Sequence, residues 1–292
     1  LEKVYWQGET MSGKGIFRPC LPRNLSRRAF TLIELLVVIS IVALLMAVLL
    51  PTLQRVRKQA KGVVCQSRLR ELGLQSAIYI EEHIGSMKAA PWPDWHIPFW
   101  YKGPLLDPRL LLCPSASTPL AGPLVPWGDA FHAYAFGRVD PAAAPEKRSA
   151  LGYASYGWNG WLRYDDSSPW KDCMWRTRDV KGPSRVPVLF DCAQRVAGLL
   201  HLDPPPKQPF TAPPEPDSSS FYYGNRVPSA CIQRHGEGIK MLFLDWSVRQ
   251  VGLKELWTLK WHPEYDTGGP WTRAGGVQPE QWPAWMRKFK DY

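Results

Sequence analysis

The sequence predicts an α+β fold: one long amino-terminal helix, its first half in a membrane, packed against an antiparallel sheet whose strands are joined by long loops. Three observations predict it. Phe30 to Leu50 is a run of 21 residues whose only charge is Glu34, long enough to cross a bilayer as a helix. Beyond it, apolar residues recur at three- and four-residue spacing to about residue 83, the pattern of an amphipathic helix. After Gly85 that spacing gives way to irregular sequence rich in Pro, Trp and Gly. With 29 prolines and 15 tryptophans in 292 residues, the proline share is about twice the usual ~5%, which argues against a mostly helical protein.

Four segments follow in order: a basic leader over 1–29, a membrane half of the helix over 30–51, a polar half over 52–84, and a head over 85–292. A secretory signal would pair a shorter apolar core with a small-residue cleavage site, and Leu49, Leu50 and Pro51 offer none. Pro51 removes a backbone donor and is expected to kink the helix. The polar half places Leu53, Val56, Ala60 and Val63, then Leu69, Leu72, Ser76 and Tyr79, on one face. Gly62 and Gly73 cost about 1 kcal/mol each in a helix and mark expected bends.

In the head, Val186 to Cys192 and Lys240 to Leu244 read as strands, with Ser247 to Val251 returning from the second as a hairpin. The segment from Pro204 to Pro216 holds seven prolines in 13 residues and reads as an extended surface loop. Cys65 on the helix and Cys113 in a loop either staple head to stalk, a bridge worth about 3 to 4 kcal/mol, or remain two buried thiols.

Charge and motif content narrow the function. The net charge of +10 includes six bases before residue 30; without residues 1–29 the excess is +6 over 263 residues, too ordinary to imply a nucleic-acid partner. The six cysteines include no CxxC pair, which removes zinc ribbons and thioredoxin-like chemistry. No G-x-S-x-G or HExxH occurs, and the six histidines are scattered, so no enzyme is expected. Tryptophans 92, 95, 100, 158, 161, 257 and 261 would suit either a core or a glycan-binding surface. A membrane-tethered ligand- or glycan-binding protein is therefore the alternative class.

The segment Arg27-Arg28-Ala29-Phe30-Thr31-Leu32-Ile33-Glu34 resembles the processing site of type IV prepilins and type II secretion pseudopilins. The resemblance implies a pilin-like fold, a cut by prepilin peptidase between Ala29 and Phe30, and methylation of the new Phe30 amino group. It also implies a single-pass bacterial inner-membrane protein with a periplasmic head, assembled through an inner-membrane platform into a homo- or hetero-oligomeric filament. Ala29 stands where the family usually has Gly, which suggests slower cleavage. The numbering begins at Leu1, so the leader starts there or at Met11. Glu34 becomes the fifth mature residue, where the family carries an intramembrane glutamate. A lone carboxylate at that depth costs roughly 2.5 to 3.5 kcal/mol, and the resemblance supplies an amino terminus as its partner in assembly.

Further along, His235 and Asp245 are separated by nine residues, similar to the H-x9-DG motif of large pseudopilin-like proteins abundant in planctomycetes. Cys65 before Arg68-Leu69-Arg70-Glu71-Leu72-Gly73, Cys113-Pro114-Ser115, Ser155 to Gly160 and Pro187 to Asp191 fit the same family. Trp246 follows Asp245 where the family has Gly, so a different turn or some strain is expected. The resemblance to calcium-binding pseudopilins nominates Asp245, Glu264 and Asp266 as a calcium site. Calcium takes about six to eight oxygen ligands, and without a dense acidic run a structural turn, with no cofactor, is the preferred reading.

Overall fold

The computed structural model describes residues 30–82, 107–119, 127–136, 152–162, 171–210 and 227–292. The leader with Ala29, and Trp92, Trp95 and Trp100, lie outside the described residues. The chain divides into two compact units, ending and beginning at Pro51 and Thr52.

Helix α1 (Leu32–Glu82) is continuous through both Gly62 and Gly73 and holds Pro51 within it. Its first turn is closed by a reciprocal cap. Thr31 N and Oγ1 each donate to Glu34 Oε2 at 2.8 Å, and Glu34 N donates back to Thr31 Oγ1 at 3.2 Å. This Thr-x-x-Glu capping box satisfies donors that a helix start otherwise leaves unpaired. Every residue of 30–51 is exposed, as an apolar segment is when its solvent is lipid or neighbouring helices.

In the second unit the helix packs from Gly62 onward. Gly62, Cys65, Leu69, Leu72, Gly73, Ser76 and Ile80 are buried, a three- and four-residue repeat. The amino-terminal part of the expected face is corrected: Leu53, Val56 and Ala60 are exposed because the sheet does not reach that far down the helix, and Val63 because it lies off the side marked by Gly62, Cys65 and Leu69. The two glycines are points of close approach. A Cβ at Gly73 would lie 2.9 Å from Leu242 Cδ1, and one at Gly62 would lie 3.4 Å from Lys240 Cε.

A five-stranded sheet carries the unit, in the order β6-β4-β5-β7-β8: β4 (Tyr156–Asn159), β5 (Pro187–Asp191), β6 (Val196–Ala197), β7 (Gly238–Phe243) and β8 (Val248–Gly252). Pairings β4-β5, β5-β7 and β7-β8 are antiparallel, and the short edge strand β6 runs parallel to β4. The three strands expected from sequence are β5, β7 and β8. A smaller sheet joins β1 (Thr118–Pro119), β2 (His132–Phe136) and β3 (Gly152–Ala154).

Both faces of the central strands are covered. Along β7, Ile239, Met241 and Phe243 enter one core, while Leu242 and then Leu244 enter the other with Leu69 and Leu72 of the helix; successive strand residues point to opposite faces. Strand β5 breaks the alternation, since Val188 and Leu189 both lie on the helix side. The pairing register shifts between Pro187 and Leu189, and such an irregularity re-aims a side chain. The opposite face is closed by the carboxyl-terminal segment, which has no long element of its own: Trp257, Trp261, Tyr265, Trp282, Met286 and Phe289 are all buried there.

Trp257 and Trp261 are thus core residues, and Trp158 and Trp161 are half-buried against the cores. The proline-rich segment is also tied down where it is described. Pro205, Pro206 and Phe210 are buried, and Trp285 Nε1 donates to the Pro206 carbonyl at 2.9 Å.

Candidate functional site

Two places carry chemistry. The first is the amino-terminal segment, where Phe30 opens the described chain and Glu34 lies one turn inside α1. The Glu34 carboxylate is held by Thr31, so it is oriented by its own helix before any partner arrives.

The second is a buried cluster assembled from four distant segments. Cys65 comes from the packed face of α1. Cys113 follows a short 3-10 turn over Pro108–Leu111 that Asp107 caps by accepting from Arg109 N. Its position is fixed by Ser155, whose hydroxyl accepts from Cys113 N and donates to the Ala116 carbonyl. Asp191 ends β5, fully buried. His235 precedes β7 in a tight loop that bridges back to Gly238, with Gly236 at φ 70°, a conformation glycine adopts without steric cost.

The polar atoms of these four side chains all lie within 4.8 Å of one another. Cys113 Sγ is 3.2 Å from His235 Nε2, which is 3.3 Å from Asp191 Oδ2. Cys65 Sγ is 3.8 Å from both Asp191 oxygens. Around them stands a shell of donors: Tyr156 Oη to Cys65 Sγ at 3.2 Å, Ser115 N to Cys113 Sγ at 3.4 Å, and Lys240 N to Asp191 Oδ2 at 2.8 Å. Arg234 is buried beside them. Its guanidinium donates to Asp191 Oδ1 at 3.1 Å and to the carbonyls of Ala130, Asp129, Cys192 and Ser155. A buried charge needs such pairing and hydrogen bonding.

The electrostatics follow from that crowding. Burial pushes the Cys65 thiol well up, helped by Cys113 and Asp191. At Cys113 burial acts in the same direction, but hydrogen bonds with Cys65 and His235 outweigh it and bring the thiol down to about 6. Burial alone would lower His235; its bonds to Asp191 and Cys113 instead raise it to about 9. Asp191 stays below the usual carboxylate range despite its burial, through His235, Arg234 and Lys240 N. Thiol, imidazole and carboxylate therefore share protons and charge at one point.

The expected site residues divide here. His235 belongs to the cluster and Asp245 does not. Asp245 is exposed in the β7-β8 hairpin, where its Oδ1 accepts from Ser247 N at 3.0 Å and Ser247 Oγ at 2.6 Å. Trp246 beside it takes φ 65°, a left-handed backbone that glycine adopts without steric cost and tryptophan does not. Asp245, Glu264 and Asp266 form no converging set among the described residues; Asp266 accepts from its own Gly268 N. Cys65 and Cys113 are brought together, as a bridge would require, but are free thiols. Sequence reasoning passed over Asp191 as a ligand and did not single out Arg234; the only signals were the place of Asp191 at a strand end and of Arg234 beside His235.

Residues 24–50 match the family described as the prokaryotic N-terminal methylation motif. The match covers the dibasic Arg27-Arg28, the expected cut and the whole apolar run from Phe30 to Leu50. Together with the long apolar helix on mixed sheets, it marks a membrane-anchored, pilin- or pseudopilin-like arrangement processed by prepilin peptidase. No curated protein and no solved structure matches the chain.

Proposed function

We propose that this chain is a structural, non-enzymatic subunit of a type II secretion pseudopilus or a type IV pilus-like filament. Prepilin peptidase cuts between Ala29 and Phe30 at the inner membrane, and Phe30 is N-methylated. The helix then leaves the bilayer to pack among its copies or other pseudopilins, with the head in the periplasm and Glu34 facing an amino terminus. The observation that carries this reading is the methylation motif leading into a helix whose first 20 residues, Leu32 to Pro51, are all exposed among the described residues. Large apolar side chains left exposed this way need lipid or protein partners. Pre-organisation of the Glu34 carboxylate by Thr31 supports a role that depends on its direction. The ligand-binding alternative loses ground, since Trp257 and Trp261, offered as a glycan surface, are buried at 1% and 0% exposure.

The test is co-expression of the precursor with an active prepilin peptidase, followed by intact mass and amino-terminal peptide analysis of membrane and sheared fractions. A methylated Phe30 terminus in sheared material is the expected result. An uncut precursor confined to the membrane, with a control substrate processed, would overturn the reading. Glu34→Ala should leave membrane insertion intact and remove the protein from the sheared fraction.

A further inference from the structure

We propose that Cys65, Cys113, Asp191 and His235 form a closed, structural zinc site. Such a site would stand in the buried cluster whether or not the chain assembles into a filament.

Geometry comes first. Tetrahedral zinc with bonds of about 2.0 to 2.3 Å to nitrogen, oxygen and sulfur sets its ligand atoms about 3.3 to 3.8 Å apart. The cluster has 3.2 Å between Cys113 Sγ and His235 Nε2, 3.3 Å between His235 Nε2 and Asp191 Oδ2, and 3.8 Å between Cys65 Sγ and the Asp191 carboxylate. Four donors from four segments thus already stand within 4.8 Å of one another, with three of the gaps at or close to the spacing of zinc ligands. Two sulfurs, one imidazole nitrogen and one carboxylate oxygen suit zinc and disfavour calcium or magnesium, which take hard oxygen ligands.

Charge agrees with geometry. Zinc with two thiolates, one carboxylate and a neutral imidazole carries a net charge of minus one. Arg234, buried and 3.1 Å from Asp191 Oδ1, brings the sum to zero, as a buried site requires. The surrounding donors are those a zinc centre uses to orient its ligands: the Tyr156 hydroxyl on Cys65 Sγ, Ser115 N on Cys113 Sγ, and Lys240 N with Arg234 on the two Asp191 oxygens. Binding displaces the thiol proton of Cys65, and any proton on Cys113 or His235 Nε2, to solvent.

Function follows from where the ligands lie. All four positions are filled by protein and the His235 side chain is only 5% exposed, so no coordination position opens to a substrate. The ion would tie the stalk helix, the Cys113 loop, the end of β5 and the lead into β7 at one point, joining Cys65 and Asp191 across 126 residues. A disulfide between Cys65 and Cys113 is the competing chemistry and would remove two of the four ligands.

The experiment is metal analysis of the untagged full chain, purified in detergent with a non-chelating reductant, together with cobalt(II) reconstitution of chelator-stripped protein. About one zinc per chain is expected, falling at least tenfold in Cys113→Ser and His235→Ala. The cobalt form should show tetrahedral visible bands with a thiolate charge-transfer band in the near ultraviolet. The cobalt spectrum of the wild-type chain decides the matter if those variants do not fold. No uptake of zinc or cobalt, an octahedral cobalt spectrum, iron or copper in place of zinc, undiminished zinc in folded variants, or a Cys65–Cys113 disulfide in chain isolated without reductant would each overturn the site.

Discussion

His262 shows how one buried side chain can set acid sensitivity. It is 3% exposed, and neither ring nitrogen has a hydrogen-bond partner among the described residues. It lies instead against the rings of Trp161 and Tyr265 at 5.1 and 5.3 Å. Burial, then His201 and Lys260, hold its pKa down to about 4, against about 6.5 in an unfolded chain. Between those values the unfolded state binds a proton that the folded state refuses, so stability falls as pH drops from about 6.5 towards 4 and is unaffected by this group above that window. Urea unfolding at pH 7 and pH 4.5 should show the wild type losing about 2 kcal/mol more than His262→Phe; equal losses would refute the account. Trp246 is a second residue-scale case. At φ 65° its backbone carries the steric penalty of a Cβ in the left-handed region, about 1 to 2 kcal/mol. Comparing Trp246→Gly with Trp246→Ala removes the packing of the indole from both. Gly should be the more stable by about 1 kcal/mol in denaturant titrations, and equal midpoints would mean that the turn relaxes.

At the scale of elements, the contact of helix with sheet is set by glycine rather than by the length of the apolar stripe. Gly73 lets α1 approach β7 so closely that a Cβ would meet Leu242. Gly73→Ala trades a helix-propensity gain of about 1 kcal/mol against displacement of that leucine tip. Gly73→Leu should overpack the interface and cost about 1 to 3 kcal/mol. Val63, which the sequence places on the same face, is 65% exposed, and Val63→Ala should change stability by less than about 0.5 kcal/mol. Thermal melts of the two variants distinguish the packed from the exposed side of the helix; a Gly73→Leu protein as stable as wild type would deny the close approach. The hairpin β7-β8 was readable because a mostly apolar run and a second short run bounded by valines flank the Asp245-Trp246-Ser247 turn. Strands β1, β3 and β4 were not, because their runs of two to four residues are too short for a period to be seen.

For the whole molecule, the division of labour between local and distant sequence is plain. A membrane span and a peptidase site are read by lipid and enzyme as continuous stretches, so their signal is continuous too, and Phe30, Glu34 and the run to Leu50 stood out unaided. The long helix and the central strands were legible for the same reason: each is a periodic pattern confined to one segment. The carboxyl-terminal layer escaped notice because turns and 3-10 pieces have no long period, although residues 253–292 supply six of the largest buried side chains of one core. The buried cluster was legible only as fragments. Cys65, Cys113 and His235 were noticed singly, and His235 was coupled to Asp245, its partner in sequence spacing. The fold instead couples it to Asp191. By itself, then, the sequence determined a methylation-motif segment leading into a long apolar helix, and a sheet-bearing head. Only the tertiary structure decided which side chains meet, because residues 126 apart become neighbours through packing, and no local spacing records that.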